Sequence, residues 1–219
     1  MASRKTTTQK QVARKAQADV HLEDRLCAAA LTIAADEGWA AVSLDRLATD
    51  LKIPLGRVIA VCPTRTSLLS FLFKRVDNVV LNQVSSIDRS ESVRDRIFDV
   101  LMMRFDALQA NRAGYVSLIN HLMRRPAALL FRTPSTLHTM ALILIAAGVS
   151  ADGMIGVARA HTLAVAYVSV LGVWLKDDSS DMSQTMSALD KALGRLEKLV
   201  KMAPFKPPSR QKKTEQNSD

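Results

Sequence analysis

The sequence predicts an all-α protein made of a small N-terminal three-helix unit and a larger helical body. Only 8 glycines and 7 prolines occur in 219 residues, none of the prolines before Pro54, so turn formers are too sparse for a chain of many strands. Apolar residues recur at intervals of three and four along most of the length, the period of an amphipathic helix. No β-hairpin signal, parallel βαβ unit or internal repeat competes with that pattern. A content of 48% apolar against 23% charged residues is that of an ordinary globular protein with enough material for a sizeable core.

The first helix is expected over His21 to Asp36, where Leu22, Leu26, Ala29, Ala30, Ile33 and Ala34 form one stripe and Gly38 stops it. Ser43 caps a short second helix that runs to about Leu51. Lys52 and Ile53 make a turn, and Pro54 suits the first turn of a third helix reaching about Val61, since its missing N–H would have no partner there. Cys62-Pro63-Thr64 interrupts, and a longer fourth helix is expected from Thr66 to Val84. Ser92 and Asp95 have capping-box spacing for a helix to Gln109, with a bend at Asn111 to Gly114. Helices are then expected at Tyr115 to Arg124, Ala127 to Phe131 and Ser135 to Ala147, punctuated by Pro126, Pro134 and Gly148. Asp152 to Leu175 is long and nearly uncharged. Its apolar run from Leu163 is shorter than the roughly 18 to 20 residues of a membrane span, so it is expected to be buried. Asp181 and Gln184 open a last helix to Met202 with a seam of Met182, Met186, Leu189, Leu193, Leu196 and Val200. A long apolar helix followed by such a seam either covers its own core or builds a four-helix interface between two copies, and a homodimer is expected.

The charge is concentrated at the ends. Residues 1–16 carry Arg4, Lys5, Lys10, Arg14 and Lys15 without an acid, and residues 201–219 carry five cations against Glu215 and Asp219, although the whole chain is only +9. A clustered basic arm attracts nucleic acid or anionic lipid alike by counterion release, or serves only to solubilise. Residues 1–19 are therefore read as a flexible basic arm and 203–219 as a disordered basic tail. Cys27 and Cys62 have neither cysteine nor histidine at ligand spacing, so neither a disulfide framework nor a metal site is expected. That usage, and an N-terminus without the apolar core of a secretory signal, suggest the cytoplasm.

Ser43 to Ile59 has the logic of a helix-turn-helix: Leu44, Leu47, Leu51, Ile53 and Val58 are apolar, and Ala48 is small enough for two short helices to approach. Such a unit places its second helix in a major groove, with Arg57 as the base reader and Lys52, Arg46 and Arg65 as phosphate contacts; a three-helix packing unit has the same spacing. The segments Ala28-Ala29-Ala30-Leu31, Glu37-Gly38-Trp39, Ser43-Leu44-Asp45-Arg46-Leu47-Ala48, Lys52-Ile53-Pro54-Leu55-Gly56 and Pro63-Thr64-Arg65-Thr66-Ser67-Leu68-Leu69 resemble the N-terminal domain of TetR-type transcriptional repressors. The resemblance implies a TetR-like fold, with a DNA-binding domain over 20–84 and an effector and dimerisation domain over 85–202. It implies a bacterial homodimer on a palindromic double-stranded operator, a small-molecule effector that releases it, and Ser43, Lys52, Pro54, Leu55, Gly56, Arg57 and Arg65 close to the duplex. Ile59 and Cys62 stand where that family usually has Tyr and Phe, which leaves the third helix unusually apolar.

A second stretch, Val173 to Asp181 followed by Thr185, Leu189 and Leu193, is similar to the end of the TetR-fold accessory proteins of coenzyme Q biosynthesis. That resemblance implies lipid binding, or work at a membrane surface without an operator, as the alternative. No catalytic residue or cofactor is expected, because His21, His121, His138 and His161 lie on separate elements without a nucleophile motif or phosphate loop. Tyr115, His121, Arg124, Tyr167 and Trp174 are the expected lining of an apolar or anion-holding effector pocket, or else packing aromatics and edge polar groups.

Overall fold

The structure, a computed structural model, describes residues 2–124 and 134–202, with side chains for 14–124 and 136–199. Nine helices make up this part: α1 Ala2–Asp36, α2 Leu44–Asp50, α3 Leu55–Val61, α4 Arg65–Gln83, α5 Val93–Gln109, α6 Arg112–Met123, α7 Pro134–Ala146, α8 Gly153–Trp174 and α9 Ser183–Met202. Short 3-10 turns at Trp39–Ala41 and Val84–Ser86 join α1 to α2 and follow α4. The helix expected at Ala127 to Phe131 and the tail 203–219 lie outside the described residues.

The caps expected at Ser43 and Ser92 form, and Thr64 caps α4 as well. Ser43, Thr64 and Ser92 each accept a hydrogen bond from the backbone N–H three residues on, at 3.3, 3.0 and 3.2 Å. Two expectations are corrected. The first helix starts at Ala2, so the segment read as a flexible arm is helical. It is rich in Ala, Lys, Arg and Gln and has no glycine or proline, so nothing interrupts the helix propagating back from His21. Gly114 is not at a bend either: it lies inside α6, where a Cβ would come within 2.5 Å of the Leu31 carbonyl oxygen, and its bareness lets α6 pack against α1.

One core runs through the described chain. Leu26, Ala30 and Ala34 of α1 share a buried cluster with Val58 and Cys62 of the N-terminal unit, while Phe105 of α5 packs between Tyr167 and Trp174 of α8 at ring-centre distances of 5.5 and 6.4 Å. Helix α8 is long and apolar enough to cross a membrane by composition, but Leu163, Ala164, Tyr167, Val170, Leu171 and Trp174 are buried between α7 and α9. Its C-terminal carbonyls are held by Arg112, whose guanidinium donates to the Trp174 oxygen at 3.1 Å and the Asp177 oxygen at 2.9 Å and lies 4.8 Å from the Trp174 ring centre. Asp177 then starts α9 by accepting from the Thr185 backbone and hydroxyl, both at 2.7 Å, and from Ser179.

Four helices share a buried polar cluster. Arg104 of α5 is 3% exposed, forms an ion pair with Asp77 of α4, and donates to the Tyr167 hydroxyl of α8 at 3.1 Å. Thr139 of α7 donates to the other Asp77 oxygen at 2.9 Å. Burial works against the Arg104 charge, and Tyr167 and Asp77 outweigh it, so its pKa is raised. Helix α4, which begins in the N-terminal unit, is thus bonded to the body through Asp77.

Candidate nucleic-acid interface

Helices α2 and α3 pack through Leu47, Ala48 and Val58, all buried. Between them the chain turns on Lys52, which has φ of 54°. The Ile53 N–H bonds back to the Ala48 oxygen at 2.9 Å and the Lys52 N–H to the Thr49 oxygen at 3.1 Å, the pairing in which helices end on a left-handed residue, usually glycine. Lysine here accepts a backbone penalty. Its side chain is exposed and has no ion-pair partner among the described residues.

An open groove of about 400 Å³ lies beside this turn, lined by Asp45, Ala48, Thr49, Lys52, Ile53, Pro54 and Leu55. A hydrogen bond from Ser43 holds the Asp45 carboxyl below its ordinary value, so an ionised acid lines the groove together with Lys52. The outward surface of α3 is Leu55, Gly56, Ile59 and Ala60. Leu55 is 43% and Ile59 44% exposed. A Cβ added to Gly56 would meet nothing within 4 Å, so packing within the chain does not require a glycine there.

The cations expected near the duplex are distributed differently from the sequence-based picture. Arg57 lies at the rim of α3, one residue from buried Val58, and is ion-paired with Asp19 of α1. Arg46 is held by Glu37 and Asp50, both at 2.9 Å, which raises its pKa, with Asp50 the larger cause. Arg65 donates to the Trp39 oxygen at 2.8 Å and stacks 5.5 Å from the centre of that indole. The Asp19, Glu37 and Trp39 partners depend on how α1 and the Gly38 turn pack and leave no sign in the spacing within 43–65, whereas Arg46 and Asp50 are an i,i+4 pair on α2. Ser43 serves as the α2 cap, and Pro54 precedes α3.

Helix α1 continues beyond this surface. Residues 14 to 18 are exposed on every side, and the backbone stays helical to Ala2, so a rod of about 25 Å leads away from the Asp19–Arg57 pair. The five cations of residues 1–16 belong to it.

None of the expected effector residues lines the groove beside α2 or the small space where α4, α5 and α7 meet. Tyr115 is buried with its hydroxyl 3.4 Å from the Leu72 oxygen, Tyr167 and Trp174 pack on Phe105, and His121 and Arg124 are exposed at the end of α6. A small space of about 10 Å³, about the size of one water, lies beside Asp77, Arg104 and Thr139. Arg104 and Asp77 were missed by sequence reasoning. Arg104 falls three residues after Leu101 and four after Val100, on the inward stripe, and that placement is the signal that marks it. Both cysteines are buried, and burial pushes the Cys27 thiol up to about 12.

No protein-family profile and no curated protein matches the sequence. Among solved structures, a TetR transcriptional regulator from Nitrosomonas europaea superposes with a TM-score of 0.59 at 22% identity, over 80% of this chain and 97% of that one. The fold is therefore TetR-like.

Proposed function

We propose that this chain, which has the fold of the TetR regulators, is a DNA-binding transcriptional regulator that acts as a homodimer. The observation that carries the proposal is the bare surface of α3. A glycine inside a helix costs about 1 kcal/mol relative to alanine, and no packing contact among the described residues requires one at position 56. Close approach of an external partner to the α3 backbone accounts for it. Lys52 beside that surface supplies a free cation to phosphate, while Arg57 and Arg65 keep donors beyond those used by Asp19 and Trp39. The helical arm adds phosphate contacts. As a helix of about 10 to 12 Å diameter it is too wide for a minor groove of about 6 Å, so its five cations track the backbone rather than base edges.

The dimer reading rests on α8, where Met154, Ala158, His161, Val165, Ser169 and Gly172 follow one another at three and four residues along its less buried side. Met154 is 90% and Val165 61% exposed. Release by a small apolar or anionic effector completes the proposal, acting where α4, α5 and α7 meet at Asp77, because a ligand that parts those helices moves α4 and with it the α2–α3 unit. The test is binding of the full-length chain to fragments of its own promoter region, across a salt series with excess non-specific competitor. Retention of one short palindromic site at physiological salt is expected. Weak, steeply salt-dependent binding to every fragment alike would overturn the proposal.

A further inference from the structure

We infer that α3 reads its site through the methyl groups of thymine rather than through hydrogen bonds to base edges. This rests on the regulator proposal and specifies what the third helix recognises. In the major groove each base pair offers donors and acceptors, and thymine alone among the bases adds a methyl group. The partner surface must supply the complement. On α3 the outward positions Leu55, Gly56, Ile59 and Ala60 have no side-chain donor or acceptor.

Arg57 is the one side chain of α3 able to hydrogen-bond to a base, and the structure commits it elsewhere. It sits at the rim rather than on the outward face, with its guanidinium on the Asp19 carboxylate, and both groups are about two-thirds covered, at 36% and 30% side-chain exposure. To reach a guanine it must leave Asp19 as a partly buried, unpaired carboxylate close to the phosphates, which is unfavourable on both counts. Leu55 and Ile59 are one helical turn apart and meet water in the free chain, so burying them against methyl groups is favourable, whereas setting them against cytosine amino or guanine carbonyl groups desolvates polar atoms without replacement. The flanking charge fits the same occupant: Lys52 lies next to Leu55 in the groove, and the basic stretch of α1 starts from the Asp19 that holds Arg57.

The test uses the full-length chain and a pool of randomised DNA duplexes. Enrichment of a recurring site is expected, with thymines at the centre of each half-site. Each of those thymines is then replaced by uracil, which removes the methyl group and leaves every hydrogen-bonding group in place. Loss of about fourfold in affinity per contacted position is expected, the value of about one buried methyl. In the Leu55→Ala, Ile59→Ala chain, whose substituted residues are exposed and peripheral to the core, the thymine and uracil sites should bind alike. Equal affinity of the original chain for thymine and uracil sites overturns the inference. So does an enriched site centred on guanine, or a uracil penalty that survives in the double variant. A pool that yields no recurring site overturns the regulator proposal itself, and this inference with it.

Discussion

At the scale of single residues, the proposed function sets the role of Lys52 against stability. Its positive φ is the conformation glycine adopts at helix ends, and a side chain held there costs on the order of 1 kcal/mol. Lys52→Gly is therefore expected to raise the unfolding free energy by about 1 kcal/mol in denaturant titration. The same change should weaken DNA binding to all sequences and lower the slope of log affinity against log salt by about one. Asp177 makes the opposite case, a residue whose carboxylate is held by the fold itself. Burial pushes its carboxyl up, but hydrogen bonds from Ser179 and Thr185 outweigh this and hold it at about 2 against an ordinary 3.8. Because the folded value lies below the unfolded one, this stabilisation is present above about pH 4 and is lost as pH falls towards 2, a change of about 2 kcal/mol. Asp177→Asn should be less stable at neutral pH and show a flatter pH dependence between 4 and 2, read by denaturant unfolding at each pH.

Individual helices show which parts of this chain are legible in its sequence. Ser43 and Ser92 cap where local spacing leads one to look, because a cap needs only its own three following residues. The pairing of Arg57 with Asp19 spans 38 positions and depends on how α1 crosses α3, so spacing alone made Arg57 look available. Arg104 stands on the inward stripe of α5, yet only the packing of four helices names Asp77 and Tyr167 as its partners and Thr139 as the second partner of Asp77. The start of α1 was hidden for another reason: residues 2–18 have good helix formers but no apolar stripe, and periodicity sees only helices that bury a face. That distinction predicts the outcome of removing them. Since residues 14 to 18 are exposed all round, deletion of 2–18 should leave thermal stability nearly unchanged. Affinity for DNA of any sequence should fall, and the salt slope should drop by up to about 4.5 if all five cations meet phosphates. An unchanged salt slope would exclude α1 from the interface.

In the proposed function the whole molecule joins a reading end to a body through α4, and a two-fold dimer is what would let it read a palindrome. A two-fold dimer sets each exposed residue near the axis against its own copy, so one added charge repels itself across the interface. Val165 is the informative position: at 61% exposure it leaves room for a larger polar side chain in the single chain, while it lies in the middle of the α8 stripe that runs from Met154 to Gly172. Val165→Glu should therefore keep its helical circular dichroism and sediment as a monomer where the original chain sediments as a dimer. On DNA it should bind one half-site as the original does and lose the gain from two, because tethering two reading units is what makes a palindrome tighter than either half. A Val165→Glu chain that still sediments as a dimer would move the interface off this face of α8. It would leave Met154, Ile155 and Val157 as an apolar surface in search of a different partner.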